Sequence, residues 1–371
     1  MTEDKHIIRT SDRGTFRRCR QLWNFTSKMR MNLEYVPGIE PLNFGIAYHE
    51  AMEVYYDPIL WDEDTNGALR IPAAEASFMA SMNSWKKNQK ASNSWNDQTA
   101  ERWDELVKMG LGMMRHYWSW AKEADKHYRP VKTEIEFEVP IPVPDGMILP
   151  RGFQSIEGHL YYMAKPVVYQ GRIDVIVQDL RTDRLWIMDH KTAAQFGESL
   201  AHLDLDPQCG SYAWAASKML GLDIAGVIYS EHRKKVPKQP EVLKSGALSK
   251  NKAQSTTAEI YKQAVLDAGL YLPDYEDFIE VLRNEGQQYF RRTHVNRNGA
   301  ELDSVEANIL YEAIDMLNEP YIYPSPSMWN CRGCAFATPC LADQDGSGAA
   351  WSLFDSGKYA PRATQVEGDQ G

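Results

Sequence analysis

Apolar and polar positions through the middle of the chain follow two different periods. From Lys132 to Val143 (KTEIEFEVPIPV) they alternate, which predicts a strand with one buried face. Gly171–Val177 (GRIDVIV) and Arg184–Lys191 (RLWIMDHK) are short, β-branched apolar runs joined by a polar link, which predicts a hairpin inside the stretch Tyr169–Gln195. A turn-rich excursion, Pro144–Met163, precedes it. From His202 to Asp223 the period changes to that of a helix, with Asp206 as N-cap and Pro207 at the first position. Ile224–Lys235 then reads as a last strand that runs out into a basic segment.

Helical spacing dominates elsewhere. Thr10–Arg30 predicts one helix capped by Ser11, with Phe16, Cys19 and Trp23 on its buried stripe. Gly45, His49 and Glu53 are spaced by four, so on a helix they share a face, with the small Gly45 permitting close approach. Residues 60–130 form a helical insert whose aromatics, among them Trp103, Tyr117, Trp118 and Trp120, serve packing. Residues 233–320 begin as a polar loop and continue as helices near 257–269, 275–291 and 301–318. The Gly/Ser/Asp-rich residues 342–371 are expected to be a flexible tail.

Charge within the hairpin does not suit a buried strand pair. Asp174 interrupts its first run, and Asp189 and Lys191 flank one residue at the end of the second. Two positions apart on a strand, Asp189 and Lys191 point to the same face. A structural ion pair explains D-x-K by itself. Carboxylates that hold Mg²⁺ or Mn²⁺ beside a phosphate-facing lysine are the alternative, and the rest of the chain must decide. Gln208 and Tyr212 lie one turn apart at a predicted helix N-terminus, where free N–H groups favour phosphate.

Composition narrows the class. With 371 residues, 43% of them hydrophobic, the chain suffices for one large or two ordinary domains with a real core. No apolar run reaches eighteen residues and no signal-peptide pattern opens the chain, so a soluble, cytoplasmic protein with no membrane partner is expected. A net charge of −10 argues against nonspecific coating of nucleic acid, although it leaves room for local basic clusters. Three exist: Arg13, Arg17, Arg18 and Arg20; Arg233, Lys234, Lys235 and Lys238; and Arg291 with Arg292.

The five cysteines argue against a disulfide framework. Cys331, Cys334 and Cys340 form a C-x₂-C-x₅-C array, a ligand pattern rather than a coincidence. A closed four-thiolate site needs one more sulfur. Cys209 reads as core, so Cys19 is the better candidate, and the site would clasp the two ends of the chain. Either an iron–sulfur cluster or zinc suits four thiolates.

In this order the motifs resemble the PD-(D/E)XK nuclease superfamily, and within it the RecB-like, CRISPR-adaptation-type exonucleases with an iron–sulfur cluster and their phage-type relatives. G-x₃-H-x₃-E is Gly45, His49 and Glu53; G-R-I-D supplies Asp174; D-x-K supplies Asp189 and Lys191; Q-x₃-Y supplies Gln208 and Tyr212. The motifs fall in segments 10–57, 132–232 and 325–341.

The resemblance implies an α/β fold, a restriction-endonuclease-like α-β-β-β-α-β core with helical insertions and a C-terminal cysteine region, in one domain over 1–341. It implies Mn²⁺ or Mg²⁺ held by His49, Asp174, Asp189 and the main-chain carbonyl of His190. Lys191 would position water or steady the phosphate, Gln208 and Tyr212 would guide DNA, and Glu53 would support the site. A [4Fe-4S] cluster on Cys19, Cys331, Cys334 and Cys340 is implied too. Asp189 stands where many members carry Glu. The implied activity is metal-dependent exonuclease action on DNA ends, single-stranded above all, in recombination, repair or phage DNA processing, beside a helicase or recombination partner. No Walker A pattern is present, so no ATP-driven motor is encoded in these residues. The alternative is a non-catalytic DNA-end-binding adaptor that retains the fold.

Overall fold

The computed structural model describes residues 5–37, 40–63, 67–197 and 201–362. The chain opens with β1 (His6–Arg9), α1 (Thr10–Arg18), α2 (Arg20–Thr26) and β2 (Leu33–Tyr35). Next come α3 (Glu40–Tyr55), α4 (Pro58–Glu63), α5 (Arg70–Ala91) and α6 (Asp97–Ala124), then β3 (Tyr128–Pro140), β4 (Phe153–Ile156) and β5 (His159–Tyr162). The predicted hairpin is β6 (Lys165–Asp179) and β7 (Arg184–Ala193), followed by α7 (Pro207–Leu220) and β8 (Ile224–Arg233). The remainder is α8 (Ala258–Asp267), α9 (Glu276–Glu285), β9 (Phe290–Asn296), α10 (Gly299–Asn318), α11 (Met328–Cys331), α12 (Ala337–Gln344), α13 (Ala349–Phe354) and β10 (Tyr359–Pro361).

Eight strands form one mixed sheet in the order β4-β5-β6-β7-β8-β9, with β1 and β3 also pairing with β6. β6 and β7 are antiparallel, β7 and β8 parallel, β8 and β9 antiparallel. Alternation along the strands supplies two cores. Ile176 and Ile187 face one way, with Phe16, Trp23, Trp214 and Leu310 from α1, α2, α7 and α10. Val175, Val177 and Met188 face the other, with Phe44, Met52, Phe78 and Met113 from α3, α5 and α6. A third, small core lies under α8 and α9 around Tyr261, Tyr275 and Phe278. The α/β class with a mixed sheet between helices is thus as expected. Trp103, Tyr117 and Trp118 of the insert are buried packing residues. Among the described residues no helix is long and apolar enough to cross a membrane.

Several local expectations need correction. Thr10–Arg30 is two helices, because Cys19 adopts an extended backbone (φ −163°, ψ 114°) between them. The first starts at Thr10 after Arg9, not after Ser11: the Arg9 N–H donates to Asp12 Oδ2 at 3.0 Å and completes a capping box. Ile224–Arg233 is not the last strand. The segment expected to continue the helix through 291 leaves it at Glu285, and Phe290–Asn296 pairs with β8 as an outer strand. β1 and the β4–β5 hairpin escape a reading by period because each strand has only four residues. Residues 349–361 of the supposed flexible tail form α13 and β10, and β10 pairs with β2. Residues 363–371 of that tail, like 1–4, lie outside the described residues.

Candidate functional site

The site forms where one edge of β6 changes partner. β1 pairs along that edge up to Arg9 opposite Gln170, and the pairing with β7 covers Val175–Asp179, with Met188 opposite Val175. Residues 171–174 are left without a strand on that side, and β6 and β7 fork apart beyond their last pair. Extended by one step, the antiparallel register sets Asp174 opposite Asp189, at the mouth of the fork. Asp174 Oδ2 takes the place of a missing ladder acceptor: the His190 N–H donates to it at 3.2 Å. Gly171 beside it has no room for a side chain, since a Cβ there would stand 2.5 Å from the Phe137 ring and 2.9 Å from Thr10 Oγ1. α1 therefore reaches the edge of the fork.

α3 crosses the other side. His49 Nδ1 lies 3.2 Å from Asp174 Oδ2. Tyr48 points the opposite way, to His232 Nδ1 at 3.0 Å. Gly45 faces Thr192, but a Cβ would meet its hydroxyl only at an ordinary 3.7 Å, so close approach does not require glycine there. Glu53, one turn beyond His49, turns away from the groove toward Arg172 (3.5 Å) and Glu134. Burial and the Glu134 carboxylate push Glu53 up to about 9.

Lys191 and Asp189 do share a face, and they form an ion pair, Nζ lying 3.0 Å from Oδ1 and 2.9 Å from Oδ2. Burial pulls Lys191 down, but Asp189 and Asp174 outweigh it and hold the ammonium well above its ordinary value. The lysine is therefore charged at neutral pH. Burial pushes Asp174 up, and the His49 contact with Lys191 and His190 overcomes it, holding that carboxylate well below its usual range. Asp189, more deeply buried, is raised by desolvation and pulled back by Lys191. The His190 ring is on the opposite face of β7, where burial lowers it to about 3 and Nδ1 lies 3.1 Å from His232 Nε2.

Gln208 and Tyr212 both line the groove, and Gln208 Nε2 donates to the Tyr212 hydroxyl at 2.9 Å. The helix N-terminus they sit on is not open to phosphate as expected. Asp206 accepts from the N–H groups of Gln208 (2.8 Å) and Cys209 (2.9 Å), so the cap has consumed them. Of the three basic clusters, two are largely structural. Arg292 is buried with Asp125, Tyr56 and Tyr117, Arg291 pairs with Glu231, and Arg233 and Lys235 reach Gln287. Arg13 of the first is buried on Glu312.

The fork opens into a groove of about 1030 Å³. Seven basic side chains line it against five acidic ones, whereas the whole chain carries 41 basic and 51 acidic residues. A protein of negative net charge thus presents a basic groove at its carboxylate site. Arg9, Lys28, Asn32 and Arg362 belong to this wall, and sequence reasoning missed them. None lies in a motif, and only tertiary pairing of the chain ends brings them together.

Those ends also carry the cysteines, all free thiols. Cys19 Sγ accepts from the Ser325 N–H at 3.5 Å, and the Asn330 side chain donates to Arg18 O. Burial and then the thiols Cys19, Cys334 and Cys331, with Asp343 among them, push Cys340 up to about 11. The four sulfurs therefore lie within electrostatic reach of one another where the two ends of the chain meet. Cys209 is buried in the core, as expected.

Among the described residues, however, no group of three or more His, Cys, Asp or Glu stands close enough to enclose an ion. In the fork, Lys191 and the His49–Asp174 contact occupy the carboxylates instead. The donors themselves suit a hard divalent cation: two carboxylates and an imidazole. Asp189 Oδ2 is buried and accepts no hydrogen bond, because Lys191 Nζ, though near, lies off its bonding direction.

A family model described as "PD-(D/E)XK nuclease superfamily" matches residues 11–341, most of the chain. A search of curated proteins found no match.

Proposed function

Because the chain belongs to the PD-(D/E)XK nuclease superfamily, we propose that it is a metal-dependent deoxyribonuclease that hydrolyses phosphodiester bonds at DNA ends. The observation that carries the reading is the fork itself. Asp174, Asp189, Lys191 and His49, from two strands and a helix, meet in pairs and line one basic groove. Nucleases of this superfamily usually use a divalent metal such as Mg²⁺ or Mn²⁺. Here His49, Asp174 and Asp189, with the main chain of His190, would hold it. When bound, such an ion polarises a phosphate oxygen and makes water acidic enough to attack.

The chain's own residues have distinct parts in this scheme. Asp174 is anionic throughout the neutral range, and it fixes the His49 ring and the His190 peptide in one arrangement. Lys191, held protonated by two carboxylates, is an electrostatic group. It stabilises negative charge growing on the phosphate and does not take a proton from water. Gln208 and Tyr212 offer amide and hydroxyl groups to the strand from α7. Glu53 acts at a distance by holding Arg172 against β3. The four thiols of Cys19, Cys331, Cys334 and Cys340 have the composition of a closed [4Fe-4S] site, with zinc as the competing metal. That group would be structural, fastening α1–α2 to α11–α12.

Action at ends is what the resemblance of the motifs to the RecB-like exonucleases implies. The test is hydrolysis of linear DNA in Mn²⁺, with Lys191→Ala and Asp174→Ala inactive. Activity retained in either variant removes the assignment. Binding of DNA ends with no hydrolysis in any divalent metal would instead support the adaptor reading.

A further inference from the structure

We propose that Arg9, Lys28 and Arg362 form a phosphate clamp in the groove, set by Asn32, which grips the nucleic-acid strand at a phosphate other than the scissile one. This rests on the nuclease reading and specifies how its substrate is held.

The three cations come from distant parts of the chain. Arg9 ends β1, Lys28 follows α2, and Arg362 follows β10. The β2–β10 ladder, with Leu33 opposite Pro361 and Tyr35 opposite Tyr359, sets Arg362 beside Asn32, and all three cations line the same groove. Asn32 is the joint. It adopts the left-handed backbone (φ 52°), a conformation Asn tolerates better than most residues. Its carbonyl accepts from the Arg362 N–H at 2.8 Å, and its side-chain amide donates to Arg362 O at 3.3 Å. On its other side, Oδ1 accepts from Arg9 Nη2 at 3.3 Å. One side chain thus ties the Arg9 guanidinium to the main chain of Arg362.

Their charges are incompletely balanced. Asp12, buried under Arg9, is the nearby counter-charge. Half-burial lowers the Arg9 guanidinium, and Arg362 lowers it further against the pull of Asp12. Among the described residues neither Lys28 nor Arg362 makes an ion pair, and the other carboxylate on this wall, Glu34, is exposed. Like charges held together at the edge of a groove repel until an anion joins them. The groove is therefore polarised, with the carboxylates at the fork and the clamp along its wall. A strand whose scissile phosphate sits at the fork lays its neighbouring phosphates against the wall. Both a diester phosphate within the strand and a terminal monoester have the chemistry the clamp fits.

The experiment is binding of a fluorescein-labelled single-stranded oligonucleotide to the full-length protein in EDTA, as a function of KCl. Oligonucleotides with a 5′-phosphate, a 3′-phosphate or hydroxyl ends make up three arms. Arg362→Gln and Lys28→Gln should each weaken binding roughly tenfold at low salt and reduce the log–log salt slope by about 0.7, the share of one contact on a single strand. Arg362→Lys should recover part of the loss, and Lys87→Gln on the exposed side of α5 should leave the slope unchanged. A loss in every arm identifies a diester phosphate, and a loss confined to one phosphorylated arm identifies the terminal one. Slopes equal to wild type in both Gln variants overturn the clamp. Since no metal is present, this is independent of cleavage. A protein that cleaves DNA with an unaltered slope defeats the clamp alone, and one that never cleaves but loses slope defeats the nuclease reading alone.

Discussion

His49 Nδ1 lies 3.2 Å from Asp174 Oδ2, so a residue of α3 and a residue of the central strand share one carboxylate at the mouth of a forked sheet. The same oxygen accepts the His190 N–H from β7. Three elements are therefore locked by a single acid, and most of the expected behaviour follows from it.

Replacing Asp174 by Asn should alter the acid limb of stability. A carboxyl held below its ordinary value stabilises the fold above the unfolded pKa, about 3.9, and that contribution disappears as pH falls through the folded value. The wild type should therefore lose stability below about pH 4 more steeply than Asp174→Asn, as read by thermal melts across that range.

Glu53 predicts a slope of the opposite sign. Raised to about 9, it takes up a proton on folding throughout the interval between the unfolded pKa near 4.3 and that value. Stability attributable to it is fullest at low pH and falls as pH rises through the interval. Glu53→Gln should flatten the decline and melt higher than the wild type near pH 8, while Glu53→Ala also loses the contact with Arg172.

Lys191 is raised, so its pairing with Asp189 stabilises the fold fully below the unfolded lysine pKa near 10.4 and fades only as pH rises through the folded value. Lys191→Met leaves a buried carboxylate unpaired, with an expected loss of about 3–5 kcal/mol in the absence of divalent ions. Mn²⁺ should then restore more of the melting temperature to this variant than to the wild type, because the competing ammonium is gone.

Gly171→Ala tests the architecture of the fork apart from its chemistry. The new methyl would press on Phe137 and Thr10, and about 1–3 kcal/mol of stability should be lost in denaturant titration.

The hairpin, α7 and the motif residues were legible because short apolar runs, a Pro–Asp cap and local spacing encode them. D-x-K by itself could not separate an ion pair from a metal site, and the structure shows why: the pair exists, and it occupies the place the carboxylates would give to a cation. What the sequence could not show depends on pairing between distant segments. β1 and β10 are too short for a period to emerge, yet together with β2 they bring Arg9, Asn32 and Arg362 to the groove. Basic runs misled in the other direction, since Arg13 and Arg292 look solvent-facing in sequence and are buried on acids. The Asp206 cap was read correctly, but its consumption of the first N–H groups was not foreseen.

For the cysteines, anaerobically purified protein should contain iron and acid-labile sulfide, and Cys19→Ser and Cys340→Ser should each lose both. Stoichiometric zinc in place of iron would replace the cluster by a zinc clasp on the same four sulfurs.

The central claim is that the fork carrying Asp174, Asp189 and Lys191 hydrolyses DNA. The most direct measurement is digestion of 5′- and 3′-labelled single- and double-stranded DNA with Mn²⁺, run beside Lys191→Ala. The account predicts metal-dependent release of short products from ends by the wild type and none by the variant. Equal digestion by both proteins, or none by the wild type with any divalent metal, would contradict it.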